Sequence, residues 1–178
     1  MSADWNYDNH GTDWDFAECN EANNIQSPID FQQSLVSFDW YDYNFAFLPV
    51  YRAAVPTNAY VDSYTYMLEG AFGGIFAQEV YAYPKEIYWD SFKIRFKVPA
   101  EHTIEGVRYD LEMQVLHTDY YDRAFFCSGK TGAFSYFFKN TETANSFFDW
   151  TADPKTNAVD LSTLIPKDIA MHNQIGGY

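Results

Sequence analysis

Two stretches of sequence decide the fold of this chain: IYWDSFKIRFKV at residues 87–98 and YDLEMQVLHT at residues 109–118. Both are rich in β-branched and aromatic residues, and apolar side chains alternate with polar ones along them. Alternation with a period of two places the apolar side chains on one face of a β-strand and the polar ones on the other. We therefore predict two strands of antiparallel type, each with one face exposed to water.

Three further segments have the same strand-like composition, at residues 60–68, 79–83 and 132–138. Clusters of turn-forming residues separate the strands, at residues 56–58, 70–74, 105–106, 128–130 and 152–154. Helices are expected to be few and short, near residues 143–149 and 162–165. The sequence therefore predicts a mainly β protein.

The composition is that of one folded, acidic domain. The chain has 178 residues, of which 47% are apolar and 20% aromatic, and this suits a single domain over residues 1–178. The 25 acidic residues outnumber the 11 basic ones, and the formal charge of −14 repels phosphate groups. We therefore expect no binding to nucleic acid or to anionic membranes.

The cellular compartment stays unknown from the sequence. No stretch reaches the roughly 18 consecutive apolar residues of a membrane span. Residues 1–9 are polar and acidic, unlike a signal peptide. The chain is either intracellular or organellar, or a secreted chain that has been processed. Its two cysteines, Cys19 and Cys127, allow at most one disulfide.

Three motifs follow one another in a specific order. The first contains Trp5-Asn6-Tyr7, Gly11, Trp14 and then QSPID at residues 26–30. The second is VPAEHTIEGVRYDLEMQVLH at residues 98–117, and the third combines GAFSYFF (132–138), NSFFD (145–149) and LSTLIP (161–166). In this order the chain resembles the α-class carbonic anhydrases from Trp5 to about Gly176. The resemblance implies a mainly β fold with a twisted, largely antiparallel central sheet, few short helices and a shortened C-terminus.

The resemblance also locates the zinc site of the family, where three histidines hold a catalytic metal. The two histidines of its HxH pattern fall on Arg95 and Lys97, and the third falls on Gln114. Arginine offers no lone pair, lysine must lose its proton before it can bind a metal, and one amide carbonyl is a weak zinc ligand. We therefore predict no zinc, no other cofactor and no catalytic residues, so that the protein is not an enzyme.

Charged residues around these positions have a predicted structural role. Residues two apart on a strand share a face, so Arg95 and Lys97 point the same way, as do Glu112 and Gln114. The resemblance places Glu101 and Glu112 behind the zinc site, where buried carboxylates need partners once the metal is lost. We hypothesise an ion-pair cluster of Arg95 and Lys97 with Glu112 and Glu101. The alternative is a partly exposed, solvated strand surface.

The histidines are expected to be structural. His102 and His117 match family positions behind the metal, and we group them with this cluster as hydrogen-bonded core residues. His10 and His172 are expected to face solvent. The family's proton-shuttle histidine would fall in residues 58–62, where the chain has none. The family mate of Cys19 is also missing, so a free thiol is expected there.

The resemblance implies that family domains continue beyond Tyr178, with the threonine that orients the zinc-bound hydroxide. A sheet that stops earlier exposes an edge strand with unpaired backbone groups. We expect this C-terminal edge to pair with a protein partner or with a second copy of the chain. The alternative is a self-sufficient sheet whose edge is blunted by loops.

These expectations support one leading function and one alternative. The leading function is a catalytically inactive carbonic-anhydrase-like protein that serves as a structural or binding subunit of a larger assembly. The alternative is zinc-independent binding of a small anion, a carboxylate or bicarbonate, or an enzyme activity in the old cavity, with Arg95 and Lys97 as the anion ligands. Carbonic anhydrase activity through another metal would need ligands that the sequence does not offer.

Overall fold

A computed structural model of the chain describes residues 28–32, 45–62, 65–79, 86–119 and 131–164. These residues form ten strands and two 3-10 helices. The elements are β1 (Asp30–Phe31), β2 (Phe45–Pro49), β3 (Asn58–Asp62), β4 (Thr65–Glu69), β5 (Gly74–Glu79), β6 (Glu86–Lys97), β7 (Thr103–Ile104), β8 (Val107–Arg108), β9 (Leu111–Asp119), β10 (Thr131–Phe138) and the 3-10 helices Ser146–Ala152 and Leu161–Leu164. None of the helices in these ranges is long and apolar enough to cross a membrane.

The main sheet is built around β6, whose twelve residues pair with β9 on one side. On the other side, the first half of β6 pairs with β5 and the second half with β4. The sheet continues to β10 beyond β9, to β3 beyond β4 and to β2 beyond β5, and all of these pairs are antiparallel. A smaller sheet of β1, β7 and β8 contains one parallel pair, β1 with β7. The expected mainly β, largely antiparallel fold is confirmed.

Strands β6, β9 and β10 lie within one or two residues of their predicted positions. The single strand predicted over residues 60–68 is wrong, because the structure has a hairpin of β3 and β4 in which Asp62 lies opposite Thr65. In the sequence, polar and apolar residues keep alternating up to Asp62-Ser63, so the pattern does not indicate that the chain reverses direction between β3 and β4. Asp and Ser both favour turns, and this was the available signal.

The turn predicted at residues 70–74 is only partly correct, because β5 begins at Gly74. A Cβ atom on Gly74 would lie 2.0 Å from the backbone oxygen of Trp89 in β6. This glycine is therefore needed for the close approach of two strands. The strand predicted at residues 79–83 lies outside the described residues apart from Glu79, which ends β5. Strand β2 is not predicted from the sequence.

The core lies between one face of the main sheet and the two 3-10 helices, which occur close to their predicted positions. Its buried side chains are Leu68, Phe72, Ile94, Phe96, Met113, Val115, Phe147, Trp150, Val159 and Leu161. Asn145 caps the first of these helices, since its side-chain oxygen accepts a hydrogen bond from the Phe147 N–H at 3.0 Å. Because alternate side chains of β6 point to opposite faces, burial of Ile94 and Phe96 turns Arg95 and its neighbours Lys93 and Lys97 to the other face, which we call the polar face.

Candidate functional site

The polar face carries the three residues at the predicted zinc-ligand positions. In the register of β6 and β9, Arg95 lies opposite Gln114 and Lys97 lies opposite Glu112. On the next strand, β10, Ser135 lies opposite Gln114. Alternation along the strands places these side chains on the face away from the core. The structure thus brings Arg95, Lys97 and Gln114 together.

Glu112 is fully buried and binds five donors from the surrounding chain. Its Oε1 accepts hydrogen bonds from Gln114 Nε2 at 2.9 Å and from Ser135 Oγ at 2.8 Å. The same oxygen lies 2.8 Å from His102 Nδ1, which donates to the carboxylate. Its Oε2 accepts from the backbone N–H groups of Glu101 and His102, both at 3.0 Å. Both oxygens of the buried carboxylate are therefore satisfied.

This arrangement keeps Glu112 ionised. Burial by itself raises the pKa of the Glu112 carboxyl. The hydrogen bonds that the carboxylate accepts, led by the one from the His102 side chain, outweigh burial and lower this pKa from 4.5 to about 2. Glu112 therefore carries its negative charge at neutral pH, held by the fold itself.

The two cations of the hypothesised cluster have different surroundings. Lys97 Nζ lies 2.8 Å from Glu101 Oε1, in a salt bridge whose side chains are 14% and 21% exposed. Arg95 is only partly exposed, and its buried Nε has no hydrogen-bond partner among the described residues. Between Arg95 and Glu112 there is no ion pair, because the five donors already occupy the carboxylate. The structure thus brings Lys97 to Glu101 but does not bring Arg95 to Glu112.

The two histidines that were grouped with the cluster lie apart. His102 contacts Glu112 and also packs against Phe31, with ring centroids 5.6 Å apart. His117 follows Glu112 by five residues along β9, an odd separation that turns it to the core face. There its Nε2 lies 2.8 Å from the Tyr51 hydroxyl oxygen. Burial lowers the pKa of His117 from 6.5 to about 4, so this histidine is neutral at pH 7.

A second ion pair on the polar face is not predicted from the sequence. Lys93, two residues before Arg95, has its Nζ 3.2 Å from Glu69 Oε1 and 3.3 Å from the Tyr60 hydroxyl. Tyr60 in turn donates to Glu69 Oε1 at 3.0 Å. The hydrogen bonds from Lys93 and Tyr60 lower the pKa of Glu69. The two-residue spacing of Lys93, Arg95 and Lys97 could have identified Lys93 as a third cation on this face. Glu69 could not be identified in this way, because the sequence does not show how β4 is aligned with β6.

Tyr60 lies in the segment where the family's proton-shuttle histidine would fall. It serves there as a partner of the Lys93–Glu69 ion pair. Four further residues discussed from the sequence, Cys19, Cys127, His10 and His172, lie outside the described residues.

Solved structures of carbonic anhydrases are similar to this structure. A halotolerant carbonic anhydrase from Dunaliella salina matches with a TM-score of 0.64 and 18% identity, over 93% of this chain and 73% of that chain. The α-carbonic anhydrase from Thermovibrio ammonificans matches with a TM-score of 0.57 and 21% identity, over 85% and 63% of the two chains. The chain has the α-carbonic anhydrase fold.

Dioscorin, whose structure was solved in complex with ascorbate, is also similar, with a TM-score of 0.56 and 20% identity over 82% of this chain and 59% of that chain. The chain thus spans 59% to 73% of the length of these three proteins. No protein-family model matches the sequence, and no curated protein matches it either.

The side chains at the predicted zinc-ligand positions do not fit a zinc ion. Arg95 has no lone pair, and Lys97 Nζ is held by Glu101. Gln114 donates its Nε2 to Glu112, which leaves one carbonyl oxygen as a possible ligand. Within the part of the chain that the structure describes, no group of three His, Cys, Asp or Glu side chains could hold a metal ion.

Proposed function

We propose that this chain is a non-catalytic protein with the α-carbonic anhydrase fold, which serves as a structural or binding subunit of a larger assembly. The observation that supports the proposal most directly is that Arg95, Lys97 and Gln114, the residues at the predicted zinc-ligand positions, lie together on adjoining strands. A zinc-bound water reaches a pKa near 7 only through the charge of the metal. An arginine at about 4 Å would oppose a divalent ion by on the order of 8 kcal/mol at an effective dielectric constant of about 20.

The polar network around this position also supports a role that needs no metal. Glu112 accepts five hydrogen bonds from side chains and backbone, and Glu101 is paired with Lys97. Buried carboxylates destabilise a fold when they lack partners. Here both carboxylates have partners within the chain, which supports a scaffold that needs no metal ion to balance them.

The assembly part of the proposal rests on β10, the last strand that the structure describes. Among the described residues, β10 pairs with β9 on one side, and no strand pairs with its other side. Between Gly132 and Phe138, every second residue points its backbone N–H and C=O groups to that side, where the described residues provide no strand, and an edge of this kind pairs readily with another strand. We infer that a strand of a partner protein or of a second copy extends the sheet at β10.

Metal content and CO2 hydration of the purified full chain test the non-catalytic part. We expect less than stoichiometric zinc after growth in zinc-containing medium, and a hydration rate equal to that of the buffer. The triple variant Arg95→His, Lys97→His, Gln114→His is the matched control, because it restores three nitrogen donors on the same strands and should gain zinc. Stoichiometric zinc in the unsubstituted protein, or hydration activity that a chelator removes, would show that this part is wrong.

Hydrogen exchange at β10 tests the assembly part. In the dilute monomer, the amides of residues 132–138 that point away from β9 should exchange fast, because no described strand pairs with them on that side. In the assembly purified from the native source, the same amides should become protected. A chain that purifies alone as a monomer at every concentration, with fast exchange along β10, would contradict the assembly role.

A further inference from the structure

Three cations form a row on the polar face of β6. Lys93, Arg95 and Lys97 are spaced two residues apart in one strand, so their side chains share one face. They are three of only 11 basic residues in a chain with 25 acidic ones. Positive charge is therefore concentrated on this strand, although the chain as a whole repels anions.

The two outer cations of this row are neutralised by carboxylates. Lys93 Nζ lies 3.2 Å from Glu69 Oε1, and Lys97 Nζ lies 2.8 Å from Glu101 Oε1. Both pairs are only partly exposed. Each lysine thus contributes little net charge to the face, because its carboxylate is within contact distance.

The middle cation, Arg95, has a different environment. Its neighbours in the sheet register are Met67 on β4 and Gln114 on β9, neither of which carries a charge. Its Nε is buried and has no hydrogen-bond partner among the described residues. A buried guanidinium N–H without a partner is costly, so an arginine in this position favours the binding of an oxygen acceptor.

The nearby Glu112 carboxylate is not available as an acceptor for Arg95. Glu112 lies opposite Lys97, next to the Arg95–Gln114 pair, but its two oxygens already bind His102, Gln114, Ser135 and two backbone N–H groups. A carboxylate has about four lone-pair directions, and five donors fill them. Within the part of the chain that the structure describes, Arg95 Nε therefore has no acceptor.

We propose that Arg95 binds the carboxylate group of a small organic acid on the polar face. The planar guanidinium can hold both oxygens of a carboxylate with two parallel N–H···O hydrogen bonds. This inference rests on the absence of zinc that is part of the proposed function, and it adds a ligand class to the same face. It does not depend on the pairing of β10 with another strand.

The charge balance of the face selects an anion with one negative charge. Among the described residues, Glu69, Glu101 and Glu112 already match the three cations of the row in number, so a ligand with a single negative charge is repelled least. A dianion such as sulfate or hydrogen phosphate adds a second negative charge close to Glu69, Glu101 and Glu112, and like charges at short range repel. Monocarboxylates should therefore bind more tightly than dianions, and bicarbonate has the same charge and a similar oxygen geometry.

Titration of the purified full chain with acetate, benzoate, bicarbonate and sulfate at constant ionic strength tests this proposal. Binding is followed by calorimetry and by the NMR resonance of the Arg95 Nε–H group, which reports a change in the surroundings of the guanidinium. We expect acetate or benzoate to move this resonance and to raise the melting temperature with ligand concentration. Arg95→Gln should weaken binding at least about tenfold, whereas Arg52→Gln, a change at an exposed arginine outside this face, should not.

Each outcome distinguishes this inference from the proposed function. Tighter binding of bicarbonate than of the organic acids identifies bicarbonate as the ligand and overturns the organic-acid assignment. Equal binding of sulfate overturns the selection of a single charge. A zinc-free protein whose Arg95 resonance does not respond to any monoanion overturns this inference alone, while stoichiometric zinc overturns the proposed function as well. If Arg95→Gln does not fold, Arg95→Lys replaces it, and loss of two-point binding should again weaken affinity.

Discussion

His102 binds both oxygens of the buried Glu112 carboxylate: its ring Nδ1 lies 2.8 Å from Oε1, and its backbone N–H donates to Oε2 at 3.0 Å. His102 directly precedes β7 of the small sheet, whereas Glu112 lies on β9 of the main sheet. The double contact therefore joins the two sheets through one carboxylate. Charge-assisted hydrogen bonds of this kind are stronger than those between neutral groups.

Replacement of this carboxylate should destabilise the protein strongly. In Glu112→Gln, an amide NH2 faces some of the five donors that now bind carboxylate oxygens, so buried donors lose their acceptors. We expect the free energy of unfolding at pH 7 to fall by about 2–4 kcal/mol, as measured by urea denaturation. The control Glu142→Gln changes an exposed glutamate and should stay within about 0.5 kcal/mol of the unsubstituted protein.

The pH dependence of stability gives an independent check on Glu112. Its pKa in the folded protein is about 2, below the value of 4.5 for a free carboxyl. The unfolded chain therefore takes up a proton first as the pH falls, and the stabilisation is complete above pH 4.5 and decreases from there toward pH 2. The loss should approach about 3 kcal/mol over this range. The Glu112→Gln variant should lack this loss of stability between pH 4.5 and pH 2. The same loss in the variant would show that Glu112 is not the group that titrates.

His117 should dominate the pH dependence in a higher range. Its pKa is about 4 in the folded protein against 6.5 for a free imidazole, because burial opposes its protonation. The neutral form thus stabilises the fold above pH 6.5, and this stabilisation decreases as the pH falls toward 4. We expect a decrease of about 2 kcal/mol between pH 7.5 and pH 5.

A His117→Gln variant tests this expectation, because glutamine retains a hydrogen-bonding group for the Tyr51 hydroxyl and cannot titrate. Stability is measured by urea denaturation at half-unit steps of pH. The variant should lose most of the slope between pH 6.5 and pH 5. The same slope in both proteins would mean that another group titrates there.

The two lysine–glutamate pairs of the polar face should differ in strength. The Lys97–Glu101 atoms are 2.8 Å apart with side chains 14% and 21% exposed, whereas Lys93–Glu69 is at 3.2 Å with 20% and 37% exposed. Less exposed pairs are screened less by water. Double-mutant cycles with Lys→Met and Glu→Gln should give a coupling of about 1 kcal/mol for the first pair and a smaller coupling for the second. A larger coupling for Lys93–Glu69 would reverse this order.

Two glycines with positive φ allow the close packing of the chain beside β5 to be tested against a matched control. Gly73 has φ +84°, and a Cβ there would lie 2.5 Å from the Val50 backbone oxygen; Gly106 has φ +71° and open space around it. Gly106→Ala should cost about 1 kcal/mol, the cost of the left-handed conformation alone. Gly73→Ala should cost at least about 2 kcal/mol more, because backbone atoms must move. If both variants lose the same stability in thermal or urea denaturation, the backbone around Val50 moves at little cost to make room for the added Cβ atom.

Much of the fold follows from local sequence patterns. The alternation in β6, β9 and β10 predicts their positions because side-chain direction along a strand is a property of the strand itself. The same pattern fails at Asp62, where the alternation continues through a chain reversal and one predicted strand becomes the hairpin of β3 and β4. Gly74 has the appearance of a turn residue, yet it is required where β5 approaches Trp89 of β6.

The sequence by itself determined that Arg95 shares a strand face with Lys97, and Glu112 with Gln114, because side-chain alternation with a period of two is local. Only the tertiary structure decided how these charges are paired. In the folded chain, Lys97 pairs with Glu101, and Lys93 binds Glu69 and Tyr60. Glu112 accepts hydrogen bonds from five donors. His117 lies on the core face, where it contacts Tyr51. Such pairing depends on the register between strands that are distant in sequence, and register is set by the packing of the whole sheet.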